Sequence, residues 1–119
     1  MSNTDAFMKI TGIPDLPEQT KLAAIAAMRD ATRLRPPLVG RIALRTTNED
    51  ARLIPRAELI EEYRSLGLFS IARALLKRPR SEHELLVVAC GDDGNGVHFR
   101  TVPMALLRAI FPNANGKSP

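Results

Sequence analysis

Residues 91–96 read Gly-Asp-Asp-Gly-Asn-Gly, and no other stretch of the chain restricts its fold so tightly. Asp-Gly and Asn-Gly pairs supply the positive-φ positions that tight hairpin turns need. Before the turn stands Leu85-Leu86-Val87-Val88-Ala89-Cys90, a short apolar run of the kind that forms a strand buried on both faces. After it, residues 97–102 pair back, so 84–102 is a β-hairpin. The glycines are explained by the turn. A phosphate-binding loop would need a following helix and a Lys-Ser/Thr pair, and neither is present.

Proline and glycine divide the rest of the chain. Asp15, Pro17 and Glu18 combine an N-cap acid, a first-turn proline and an acid three residues after the cap, which starts a helix. That helix runs to about Leu34, with Leu22, Ile25, Ala26 and Met28 as its apolar stripe and Ala23, Ala24, Ala27 and Ala31 permitting close packing. Pro36-Pro37 ends it. Residues 38–46 alternate, with Gly40, Ile42 and Leu44 on one face and Arg41, Ala43 and Arg45 on the other, a half-exposed strand. Residues 47–54 read as a loop opened by the polar cluster Thr47-Asn48-Glu49-Asp50.

Pro55 opens a second helix over 56–66, in which Leu59, Ile60 and Tyr63 share a face. Gly67 breaks it. A third helix over 68–78 turns Leu68, Ile71, Ala72, Leu75 and Leu76 inward and leaves Ser70, Arg73, Ala74 and Lys77 outside. Pro79 closes it. Pro103 opens a last helix over 104–111, and the tail 113–119 has too little apolar surface to order itself. The resulting expectation is one α+β domain over 1–112 with a disordered tail. Its small three-stranded antiparallel sheet packs with three or four helices in the order helix, strand, helix, helix, strand, strand, helix.

At 119 residues, 45% of them hydrophobic and 25% charged, the chain has ordinary globular composition and enough length for a core without staples. The one cysteine makes no internal disulfide, and residues 1–10 show no charged-then-apolar leader, which suggests a cytoplasmic protein. The longest apolar runs, 22–28 and 85–90, fall far short of the roughly 20 residues of a membrane span.

The net charge is +4, built from 13 Arg and 4 Lys. It is blocked along the chain: residues 64–80 hold five basic residues (Arg64, Arg73, Lys77, Arg78, Arg80) and no acid, between acidic blocks at 47–63 and 81–100. Arginine's planar fork suits phosphates, guanine edges and carboxylates, so a polyanionic partner is indicated without being named.

The element order over residues 17–102 resembles the winged-helix family of DNA-binding domains. That resemblance implies that the third helix, 68–78, enters the major groove and that the hairpin, 84–102, lies along the backbone or minor groove. Ser70, Arg73 and Lys77 would then face duplex DNA, with Arg78 and Arg80 reaching flanking phosphates. Arg41 and Arg45 would extend the basic surface, or else pair with Glu49, Asp50 or Glu58. The wing tip carries Asp92 and Asp93, which oppose phosphate contact.

Two functions follow as expectations. The first is a small duplex-DNA-binding protein, a regulator or mobile-element accessory factor, working as a possible homodimer. The alternative is a protein-interaction or inhibitor module whose arginines meet an acidic partner. A solvated basic helix face on an unrelated domain is the bland counterpart of both.

A single-stranded nucleic acid binder is disfavoured. Phe7, Tyr63, Phe69, Phe99 and Phe111 are the only aromatics, and most fall on expected core faces apart from the cations. A hairpin centred on Gly94 would set Cys90 opposite His98. With Cys90 ending an apolar strand, His98 turned outward and no third orienting group, the pair indicates neither catalysis nor a metal centre. No enzyme activity and no cofactor are expected.

Overall fold

The computed structural model describes residues 9–12, 16–35, 38–90 and 97–111. After a helical stretch at 9–11, the elements are helix α1 (Glu18–Ala31), a 3-10 turn (Leu38–Arg41), strands β1 (Ile42–Thr46) and β2 (Ala51–Pro55), helices α2 (Arg56–Ser65) and α3 (Phe69–Lys77), strands β3 (Glu84–Cys90) and β4 (Val97–Pro103), and helix α4 (Met104–Ile110). The N-cap at Asp15, the stop at Pro36-Pro37, the turn at 91–96 with Asp92 and Asp93, and the tail all lie outside the described residues.

The sheet corrects the expected architecture. It is four-stranded and mixed, in the order β2-β1-β3-β4, rather than three-stranded and antiparallel. β1 pairs antiparallel with β2 and parallel with β3, and β3 pairs antiparallel with β4. The extra strand is the segment expected as a loop. β2 contains Arg52 and ends at Pro55, which hide its strand character; Arg52 faces solvent, and Pro55 is tolerated because the strand is an edge. The β1–β2 turn is held by Thr47, whose Oγ1 accepts hydrogen bonds from the backbone N–H groups of Glu49 and Asp50, each at 3.1 Å.

β1 sits between two neighbours and is covered on both faces. Leu44 joins a core with Ala24, Met28, Leu85, Val87, Val102, Met104 and Leu107, on the side of α1 and α4. Ala43 joins a second core with Leu59, Ile60, Tyr63, Ala72, Leu75, Leu86 and Val88, on the side of α2 and α3. The alternation read as half-exposed is thus the alternation between two cores. β1 is also shorter than expected, since Leu38–Arg41 form the 3-10 turn.

Helix stripes shift in the same way. In α1 the buried residues are Thr20, Ala24, Ile25, Ala27, Met28 and Ala31, while Leu22 and Ala26 are exposed. Three alanines on the inner face let the helix lie close to the sheet. α3 buries only Ala72 and Leu75 fully, and Leu68 and Leu76 stand in solvent.

Between α2 and α3 the chain reverses through Gly67, with φ +77°. Gly67 N–H donates to Arg64 O (2.9 Å) and Leu68 N–H to Tyr63 O (2.9 Å). This is the paired hydrogen-bond pattern of a Schellman C-cap, which favours glycine at that position. Gly67→Ala forces a Cβ into the left-handed region, and we expect a loss of about 1–2 kcal/mol in urea denaturation with an unchanged native spectrum. A loss below a few tenths would show that the turn does not fix the α2–α3 angle.

Candidate anion-binding site

The 3-10 turn, β1, α2, β3, β4 and the segment after α3 all contribute to a single cavity at one end of the sheet. β2 returns to the start of β1, with Pro55 opposite Ile42, and α2 leaves from there. α3 comes back to the same end, and the chain after it enters β3 at Glu84, opposite Pro103 where β4 finishes. Val39, Ile42, Arg56, Arg78, Pro79, Ser81, Glu84, Leu86 and Thr101 line a cavity of about 200 Å³ at this end.

Arg56 is the centre of the arrangement. It occupies the first position of α2, follows Pro55, and is only 5% exposed. Its Nη2 donates to the carbonyls of Leu75 (3.2 Å) and Arg78 (3.0 Å), and its Nη1 to Pro79 O (3.2 Å). These carbonyls close α3, so the guanidinium supplies donors that a helix C-terminus lacks and sits at the negative end of its dipole. The same bonds fix α2 and α3 as antiparallel neighbours. Burial, then the charges of Arg80 and Arg78, lower the Arg56 pKa from its ordinary value. Among the described residues no carboxylate forms an ion pair with it.

Arg78 lies on the same wall. Its guanidinium carbon stands 5.4 Å from the centre of the Phe99 ring, and its Nε is buried without a hydrogen-bond partner. The ring face attracts the guanidinium. Arg80 and Arg41 are exposed and line an adjoining shallow cleft with Gly40 and Glu82.

The residues expected to face DNA divide into three groups. Ser70, Arg73 and Lys77 are exposed on α3. Arg78, Arg80 and Arg41 gather around the cavity and the cleft beside it. Arg45 is withdrawn from the surface, at 8% exposure on the α2 face of β1. Its Nη1 donates to both oxygens of Glu62, at 2.6 and 2.8 Å, and Nη2 stands 3.9 Å from Asp50. Burial acts to lower the Arg45 pKa, but the hydrogen bond and charge of Glu62, with Asp50 and Tyr63, outweigh it and raise the value overall.

Two further expectations change. Cys90 lies opposite Val97, and His98 opposite Ala89, so the Cys90–His98 pairing is not formed. Cations and aromatics are also not segregated: Arg29 stands over Phe111 at 5.2 Å and Arg78 over Phe99, while Phe69 is 64% exposed on α3.

Arg56 carried no role in the sequence reading, yet it left a signal. A cation in the first helical turn opposes the helix dipole, so its presence there indicates a partner outside its own helix. Comparison with protein-family models, with curated proteins and with solved structures finds no match.

Arg56→Met leaves three carbonyls without their charged donor, and we expect it to lower stability by about 3 kcal/mol in urea denaturation. Arg80→Met, at the exposed cleft, should stay within about 0.5 kcal/mol of the parent. Equal, small effects for both would remove Arg56 from its role in joining the helices.

Proposed function

We propose that the protein binds duplex DNA through the outer face of α3 and the arginines at that helix's C-terminal end. The observation that carries the reading is charge without local compensation. Arg73 and Lys77 stand exposed on α3, Arg80 and Arg41 follow at its end, and none of the four pairs with a carboxylate among the described residues. Arg45, Arg52 and Arg64 differ, each lying against Glu62, Asp50 or Glu61. Cations left unpaired on a short helix are free to replace the counterions of a phosphate backbone. In this reading Ser70, Arg73 and Lys77 meet the groove or its edges, and Arg80 and Arg41 meet flanking phosphates. A small regulator or mobile-element accessory factor is the role that fits such a surface.

A second reading, an acidic protein partner, draws support from apolar residues on the same helix and the turn before it. Leu66, Phe69 and Leu76 are 66%, 64% and 55% exposed around Arg73. Large exposed apolar side chains next to cations are the composition of a protein interface more than of a DNA one.

Fluorescence anisotropy with duplex oligonucleotides separates the two. For DNA, log affinity falls steeply with log salt, Arg73→Ala and Lys77→Ala each reduce the slope by about one, and Phe69→Ser leaves it unchanged. Absence of binding at low salt would overturn the proposal.

A further inference from the structure

The cavity at the end of the sheet presents two guanidinium groups and no paired anion. Arg56 is buried and charged, and its three acceptors are backbone carbonyls, which solvate a cation without neutralising it. Buried charges normally sit beside an opposite charge. Here the nearest charges that act on Arg56 are two more arginines, Arg80 and Arg78. The group is short of an anion.

The same wall is equipped to hold one. Arg78 lines the cavity with its guanidinium carbon over the Phe99 ring, and no carboxylate pairs with it among the described residues. Ser81 and Thr101 add hydroxyls to the lining. Ser81 Oγ accepts a hydrogen bond from His83 N–H at 3.1 Å, which leaves its own O–H available to donate. Glu84, exposed on the lining, is the one acidic side chain there. Set against Arg56 and Arg78 it leaves the cavity cationic.

The dimensions restrict the ligand. About 200 Å³ is below the roughly 300–1,000 Å³ of pockets that take drug-sized molecules, so a small group is implied. Two forked guanidiniums and two hydroxyls line it, a donor set that the several oxygens of a tetrahedral oxyanion can use. We propose that this cavity binds a phosphate group, carried as the free ion or as a terminal phosphomonoester, with Arg56 and Arg78 as its counter-charges. The site is distinct from the α3 face, since its lining includes none of Ser70, Arg73 and Lys77.

Thermal unfolding of the full chain in inorganic phosphate, against chloride at matched ionic strength, reads the site directly. Tens of millimolar phosphate should raise Tm by about 5 °C above the chloride control. Phosphorus NMR titration should show binding that Arg78→Gln weakens at least about tenfold and Glu84→Gln tightens about threefold. Arg56 is left intact because it also joins α2 to α3, and Ser81→Ala serves as a second weakening variant. Arg73→Ala should bind phosphate as the parent does, even where it loses DNA. Displacement of phosphate by adenosine 5′-monophosphate would support the monoester, and phosphate binding without displacement would support the free ion. No phosphate-specific rise in Tm, or unchanged binding in both Arg78→Gln and Ser81→Ala, would overturn the site.

Discussion

The parallel pairing of β1 with β3, over Ala43 to Thr46 against Leu86 to Ala89, is the constraint on which the remaining structure depends. Parallel neighbours cannot be joined by a tight turn, so the chain between them must travel the length of the sheet and come back. β2 makes the first return. The α2–α3 hairpin then leaves and re-enters at that same end, covering one face of the sheet as it does so. The start of α2, the end of α3 and the starts of β1 and β3 are thereby brought together. A cavity lined by residues as separated in sequence as Val39, Arg56, Arg78 and Thr101 follows from that topology.

Two arginines hold the α2–α3 layer where apolar contact is thin. On the other face, α1 and α4 bring Ala24, Met28, Met104 and Leu107 against the sheet, a broad core that needs little polar help. α3 offers only Ala72 and Leu75 as fully buried residues. Arg45 ties β1 to α2 through Glu62, and Arg56 ties α2 to the last carbonyls of α3. The two ties differ physically. Glu62 returns a full negative charge to Arg45, while Arg56 receives only dipoles, so one site is electrostatically closed and the other remains open to an anion.

Much of this fold is legible in the sequence where local chemistry and tertiary environment agree. Pro55, Gly67, Pro79 and Pro103 mark boundaries that the structure places within a residue or two, and the apolar run at 85–90 forms a strand whose described side chains, Leu85 to Ala89, are buried. β2 was hidden because its five residues hold an exposed arginine and a proline, and the proline is acceptable only once the strand is known to be an edge. The alternation of β1 was visible, but period two is the same for a strand facing water on one side and for one dividing two cores. That ambiguity misplaced Arg45, and with it the sheet, since a central buried strand needs neighbours on both sides.

Charge runs behave similarly. The five cations from Arg64 to Arg80 form one block in sequence and several environments in space. Arg64 pairs with Glu61, Arg73 and Lys77 face solvent, Arg78 lies half-buried on Phe99, and Arg80 stands at a cleft. The buried cation at the cavity, Arg56, lies outside the block and inside a segment of net negative charge. In water an exposed cation is screened and its pairing is nearly neutral in energy. Burial removes that screening, so a single guanidinium held by carbonyls exerts a stronger demand for an anion than several on a solvated helix. The density of charge along the sequence therefore indicates where a polyanion can be approached, and the desolvation of individual arginines indicates where one anionic group can be held.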